Sequence, residues 1–560
     1  IRYNVQVDDQ SNMWMLPSHE VAKYAMLDVV LTWNLYQFWM PTITEWGNEE
    51  LHDTVNDVNY KVAWKMGYNG ALIDVNKAVE ESERLDSVLV QLVALCDSIT
   101  DYIGYDSSIN MGSWQQLKSV LNWTSPSGLT LLEHPLTPDT FPTIDWNALP
   151  LDTKKLTSYS VKHVPSTARA ALEDYENHLF IRLLFEYRKV KKSKDTYLKR
   201  WIAGVDADGY VHPNMDATGT VAGRMSSWGE VGNWQNIPDR NGYRIKEAII
   251  PPDGWALFAI DYGQLEARLA SWIAEIELRK IGVHDLVPTM VRLFNEGTDL
   301  HAYTRDMIGV RDVLYPSTSD EDIMRQLGYK DMKGYKDVLA REFRQVGKTL
   351  NFGLLYAGTK HMVSKLLKID LDTADILVTK WRALFPAFTY AQEYYTDISQ
   401  TYRKSPLGNR SGMFATQYIS GRHRKLHKYS KWQYIYEKGI RRGYSPRKAA
   451  SRKVWNNMVQ GLAGYIATVS TLWAMNKYPD TIFRPFANIH DAVDGYVRLD
   501  SLHIIPDIMN MMCNWEVEPL LTVDLEASLH NWQDMKEVHD INLWIDSKGE
   551  YGYDKIETRA

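Results

Sequence analysis

Two apolar runs that each lead to an aspartate set the main constraint on how this chain can fold. Trp255–Ile260 precedes Asp261, and Phe486–Ile489 leads to Asp491, 230 positions later. Short runs of this kind read as buried strands that present a carboxylate at their exit. A sheet that joined the two strands would bring the carboxylates together. Such a pair could bind two divalent cations, an arrangement suited to in-line phosphoryl transfer. An aspartate after an apolar run otherwise serves as a turn residue or helix cap, so the surrounding sequence has to decide.

That sequence holds a helix with an unusual face. Asp337–Gly358 has helical periodicity, and Arg344, Lys348, Phe352 and Tyr356 recur along it at intervals of four. Residues four apart share a helix face. Two cations followed by two aromatics could hold a triphosphate at one end and stack on a base at the other. The plainer alternative is an amphipathic helix with a solvated basic edge. Gly347 and Gly353 weigh against it, because glycine inside a helix costs about 1 kcal/mol relative to alanine. They suit a helix that something must approach closely.

Composition bounds the class without fixing it. A chain of 560 residues can form several domains with large cores. It has no apolar run long enough for a transmembrane helix and no signal-peptide pattern, so no membrane role is expected. Cys96 and Cys513 are the only cysteines, which argues against a disulfide scaffold and suits a reducing cytoplasm. The net charge of −7 says less than its distribution. Arg188–Arg200 carries seven basic residues against one acid, and a second basic region runs from Arg422 to Lys453. Such runs are either solvated helix faces or tracks along nucleic-acid phosphates.

Taken together, the motifs resemble those of family A DNA polymerases. Asp261-Tyr-Gly-Gln-Leu-Glu-Ala-Arg268 resembles motif A, usually DYSQIELR. Arg344–Gly358 resembles motif B, R-xxx-K-xxx-F-xxx-YG, with Ala357 as an extra residue between tyrosine and glycine. Asn488–Ala492 resembles motif C, usually VHDE. Thr220–Ser227, Asn233–Pro238 and Asp299–His301 match further segments of the family, and Arg452, Asn456 and Gln460 follow at four-residue spacing. The resemblance implies an α+β multidomain chain with a right-hand polymerase fold, its palm an antiparallel sheet and its fingers and thumb helical. A remnant of an RNase H-like exonuclease domain would precede it. The implied boundaries are an exonuclease remnant over 1–45, thumb over 46–200, palm over 201–280 and 441–535, fingers over 281–440, and an extension over 536–560. Tyr24 and Asp28 fit the last exonuclease motif, Y-xxx-D, but Asp28 without partner carboxylates cannot build a two-metal site. The start at Ile1 reads as that of a fragment, and departures from the common motifs suggest a phage replicase.

The resemblance also distributes roles. Asp261 and Asp491 would hold two Mg²⁺ ions, with Mn²⁺ as a substitute and the Tyr262 carbonyl as a further ligand. Arg344, Lys348 and His301 would bind the dNTP triphosphate, and Lys348 would protonate the leaving pyrophosphate. Glu266 would fill the space beside the sugar C2′, with Gln264 nearby, while Phe352 and Tyr356 would stack at the base. Arg224, Asn456 and Gln460 would check minor-groove geometry, where acceptors are nearly degenerate across base pairs. Asn236, Arg268, His490, Arg452, Lys191, Lys192 and Lys194 would complete the contacts to primer–template DNA. Asn456 and Gln460 could instead merely cap or solvate their helix.

Motif C departs from the family, because Ala492 stands where an acid is usual. Asp494 would share a strand face with position 492 if the segment stays extended, which makes it a candidate substitute for the missing acid, though a surface acid is the plainer expectation for it. A single-subunit RNA polymerase shares the palm carboxylates and the small motif C residue; Glu266 argues against it. A DNA-binding homologue without catalysis is the third reading, disfavoured by retention of Asp261, Asp491, Arg344 and Lys348. Phe352 lacks the hydroxyl that can replace a missing 3′-OH. Phe352→Tyr is accordingly expected to relax discrimination against dideoxynucleotides in incorporation assays.

Overall fold

In a computed structural model of the chain, residues 18–400 and 452–554 are described, apart from 46, 106, 138–155, 221–222, 239–242, 283–288, 328 and 330–333. Between those stretches it describes 403–404, 411–416, 419, 423–426, 429–437 and 440–448. The chain divides into two compact units, Ile1–Asp57 with Tyr390–Leu462, and Val58–Thr389 with Ala463–Ala560.

The second unit is organised by one five-stranded antiparallel sheet. Its strands are β1 (Trp255–Tyr262), β2 (Phe483–Ile489), β3 (Ala492–Arg498), β4 (Val523–Ser528) and β5 (Lys536–Glu537), in the spatial order β2-β3-β1-β4-β5. The two apolar runs thus share a sheet, with β3 between them. Ala256, Leu257, Phe258 and Ile260 are wholly buried in β1, as expected of a central strand covered on both faces. Phe258 faces Gly495 on one side and Ala527 on the other. These small neighbours leave room for the ring, which stacks on Phe483 at 5.2 Å. The sheet includes residues 536–537, so the segment expected as a C-terminal extension begins as its fifth strand. Beyond it a helix, Ile541–Asp546, buries Trp544 completely.

Helices make up much of the rest of the described chain. Those that matter here are α1 (Ser18–Glu45), α2 (Val75–Tyr102), α3 (Leu179–Ser193), α4 (Leu265–Lys280), α5 (Leu300–Ile308), α6 (Tyr335–Leu355), α7 (Leu371–Leu384) and α8 (Arg452–Lys477). Residues 169–204 do not form one helix. The helical run breaks after Leu172, where Arg182 bonds back to Glu176 O and the Asn177 side chain. The break lets α3 start against wholly buried His178. A cluster of Trp201, Trp234, Phe486 and Trp532 fastens the 226–238 segment to β2.

The first unit contains α1, a hairpin of Tyr429–Glu437 with Ile440–Lys448, and the start of α8. The hairpin spans the boundary expected between the fingers, 281–440, and the second part of the palm, 441–535. Tyr24 and Asp28 both lie on α1, which buries none of its described residues. Phe258→Ala is expected to destabilise the second unit by about 3–5 kcal/mol, the usual cost of emptying a buried aromatic site, measurable by urea unfolding.

Candidate functional site

Strand register decides what the two aspartates can do. Asp261 lies next to the end of β1, directly opposite Asp524 on β4. Asp491 sits in a two-residue turn with His490, closed by pairing of Ile489 with Ala492. His490 takes the left-handed conformation, φ 58°, and the tight turn holds Asp491 at its tip. Asp261 is exposed as a residue, yet loss of water around its carboxyl is the largest influence on it, and the carboxyl is pushed up to about 6 with further contributions from Asp491 and Glu526. Asp491 is also raised, mainly by burial, against the opposing pull of Arg224 and His490. Its Oδ1 is buried without a hydrogen-bond partner. Hard oxygen donors that repel one another, one of them unsatisfied, fit a divalent cation of the Mg²⁺ type.

The neighbouring residues hold these carboxylates in place. The Tyr262 hydroxyl is fixed by Ser470 Oγ at 2.9 Å and Met512 O at 2.8 Å, which anchors the strand and its carbonyl. Arg224 pairs with Glu266 and lies 3.5 Å from Asp491 Oδ1. Glu266 is in the first turn of α4, where the helix dipole favours a carboxylate; exposed Gln264 caps that helix at φ 54°. Arg268 is placed as an internal strut. It donates to Gly263 O at 2.9 Å and Leu520 O at 2.6 Å and covers the Phe294 ring. Asp494, for which a surface acid was the plainer expectation, is 4% exposed. It faces Ala259 from β3 while Glu526 faces Ala259 from β4. Burial above all pushes its carboxyl up to about 8, and Lys246 opposes the shift.

A second group of residues gathers where α5 meets α6. Arg344, Lys348 and Phe352 form an accessible stripe, and Tyr356 caps the helix end. Lys348 Nζ lies 5.8 Å from the Phe352 ring centroid. Arg344 Nε donates to Asp299 Oδ2 at 2.6 Å, and Asp299 also caps α5 through the His301 and Ala302 amides. Burial would raise the Asp299 carboxyl, but Arg344 and these amides prevail and hold it below the usual range. His301 is buried, and burial followed by the nearby Arg344 charge brings its imidazole down to about 4. It is therefore neutral near pH 7.

Asn351, a residue that the periodicity did not single out, orients that imidazole. Its amide reaches His301 Nδ1 at 3.1 Å and Leu300 O at 3.3 Å. Its oxygen accepts from Thr304 Oγ1 at 3.0 Å and from Trp381 Nε1 of α7 at 2.8 Å. A buried asparagine on the apolar side of an amphipathic helix was the available signal. Gly347 finds its reason here as well: a Cβ there would stand 2.4 Å from His301 O. The body that approaches the helix is thus the backbone of α5.

The remaining expected contacts are dispersed. Asn236 is exposed in a short 3₁₀ turn, and neighbouring Gln235 ties Met225 O to Asn488 O at 2.7 and 3.2 Å. Lys191 pairs with Asp195 at 2.9 Å and Lys194 pairs with Asp86, while Lys192 is exposed. Arg452, Asn456 and Gln460 share one side of α8 in the first unit. A cavity of about 820 Å³ lined by Trp64, Tyr68, His212 and Arg484 is larger than the one beside Asp261. Volume alone does not locate chemistry, and neither strand-borne aspartate lines it.

The sequence matches the DNA polymerase family A profile over residues 81–534. The chain belongs to that family. DNA polymerase I of Thermus aquaticus, a thermostable enzyme, is 28% identical over 331 residues, covering 58% of this chain and 33% of the relative. DNA polymerase I of Deinococcus radiodurans is 26% identical over 410 residues, covering 72% and 36%. The chain thus spans about a third of the length of these curated relatives. Among solved structures, the POL domain of Pol1 from M. smegmatis in complex with DNA primer-template and dNTP aligns with a TM-score of 0.57 at 20% identity. That alignment covers 84% of this chain and 68% of the other. The family A chain therefore has the right-hand polymerase fold. None of the helices in its described residues is long and apolar enough to cross a membrane.

The raised Asp261 carboxyl makes stability depend on pH. Its folded pKa of about 6 lies above the ordinary 3.8, so ionising it costs folding stability fully above 6 and not at all below 3.8. Without divalent cations, Asp261→Asn is expected to raise Tm at neutral pH, with the gain vanishing as pH falls through that window. Adding Mg²⁺ should raise the Tm of the parent chain and not that of the variant.

Proposed function

We propose that this chain is a template-directed DNA polymerase that adds deoxynucleotides to a primer 3′-hydroxyl and releases pyrophosphate. The observation that carries the reading is the convergence of Asp261 and Asp491 at one end of the sheet, each raised by burial and Asp261 raised further by Asp491. Asp261, Asp491 and the Tyr262 carbonyl would hold two divalent cations, Mg²⁺ or Mn²⁺. Bound there, the ions would acidify the primer hydroxyl and neutralise the triphosphate and the leaving pyrophosphate.

The chain's own residues position the substrates. Arg344 and Lys348 would clamp the triphosphate, with Lys348 giving a proton to the departing pyrophosphate. His301 would add a hydrogen bond from Nε2 rather than a charge, because Asn351 occupies Nδ1 and the ring is neutral. Phe352 and Tyr356 would stack at the base, and Glu266 with Gln264 would exclude a ribose hydroxyl. Arg224, held on Glu266 in this structure, would move to the minor groove with Asn456 and Gln460. Asn236, Arg268, His490, Arg452, Lys191, Lys192 and Lys194 complete the proposed DNA contacts, although Arg268, Lys191 and Lys194 would first have to leave internal partners. The thumb, palm and fingers boundaries, the exonuclease remnant, a phage replication role and a cytoplasmic setting belong to the same reading.

Primer extension in Mg²⁺ with dNTPs and, in parallel, rNTPs tests it. dNTP incorporation that Asp261→Ala abolishes and Lys348→Ala slows by about 10²–10³-fold is the expected outcome. Extension with rNTPs alone, or DNA binding without extension, would overturn it.

A further inference from the structure

Beside Asp261 the second unit has a cavity of about 470 Å³, lined by Lys246, Asp261, Asp494, Glu526 and Gln533 above a floor of Ala259 and Ala492. The floor is the sheet itself. Ala259 stands between Asp494 on β3 and Glu526 on β4, and Ala492, two residues before Asp494, lies on the same face. Alanine at both positions leaves the space open.

Two oxygens lining this space lack donors. Asp494 is 4% exposed; the Trp532 side chain hydrogen-bonds its carboxyl, yet Oδ2 is buried with no hydrogen-bond partner. Gln533 Oε1 is likewise buried and unpartnered. Lys246 Nζ, the cation of this cavity, is 4.8 Å from the Trp532 ring centroid. Buried acceptors are seldom left without donors, and a polar cavity of this size accommodates several ordered waters.

We propose that Asp494 is a positioning residue for Asp261. Through water held in the cavity with Gln533, it fixes the Asp261 carboxylate in the orientation that receives a divalent cation. It thereby supplies, from two residues further along the strand, a third carboxyl on the face where Ala492 has none. Groups that hydrogen-bond to metal ligands set ligand orientation in this way. The proposal rests on the polymerase reading above.

The test compares the parent chain with Asp494→Leu and Asp494→Asn. Mn²⁺ binding is measured by electron paramagnetic resonance without DNA or nucleotide, alongside Tm and the kcat and KM for dNTP incorporation. Asp494→Leu is expected to lower both Mn²⁺ affinity and kcat by about tenfold or more, with KM for dNTP unchanged. Its Tm should hold or rise, because an apolar side chain replaces a buried acid one of whose oxygens has no hydrogen-bond partner. Asp494→Asn, which keeps one acceptor oxygen, should recover part of both losses. Unchanged Mn²⁺ affinity and kcat in the leucine variant would overturn the proposal. So would a fall in kcat accompanied by lower Tm and unchanged Mn²⁺ affinity, since that pattern belongs to packing. If the parent chain extends no primer, the polymerase reading fails, and the Mn²⁺ measurements still decide whether Asp494 orients Asp261.

Discussion

Electrostatic repulsion between carboxylates, contained by a buried sheet, is the constraint on which this structure turns. Asp261, Asp491, Asp494, Asp524 and Glu526 are drawn together by β1, β3, β4 and the turn before β3. Left to themselves, such groups would separate or take up protons. The apolar part of the same strands prevents separation: Ala256, Leu257, Phe258, Ile260, Tyr496 and Val497 are wholly buried. Folding energy from that core holds the acids in a state that a bound cation would relieve. Stability and chemistry are thus coupled through one sheet.

Elsewhere, opposite charges and packing do the same work with less tension. Asp299 caps α5 and holds Arg344, so one carboxylate fixes both a helix start and a basic side chain. Asn351 satisfies Leu300, His301, Thr304 and Trp381 together. A buried amide with its donors and acceptors used rigidifies its surroundings. Gly347 lets the two backbones approach, and the stripe of Arg344, Lys348 and Phe352 is presented from that rigid seam.

The sequence made the strands around Asp261 and Asp491 legible because a short apolar run ending at a polar residue reads as a buried strand. The helix bearing Arg344, Lys348 and Phe352 was equally readable, its period being 3.6 residues and its end lying within a few residues of the expected place. Two features escaped, and a third was read only in part. Asn351 lies off the stripe that drew attention, and its value comes from partners 30 to 51 positions away in the chain. Gly347 was legible as a point of close approach, but only the neighbouring helix shows that the backbone of α5 is what approaches. Asp494 was expected on the surface, because an isolated acid in a strand gives no sign of which face a sheet will cover.

By itself, the sequence determined the inventory: two strand-borne aspartates, a cationic and aromatic helix face, and an alanine after the second aspartate. Local periodicity suffices for these, since backbone geometry repeats along the chain. Tertiary structure alone decided the register that sets Asp494 and Glu526 on either side of Ala259. It also decided the pairing of Arg224 with Glu266 and the neutrality of His301. Those properties depend on burial and on charges brought from distant segments, and neither is written in the order of residues along one strand or helix.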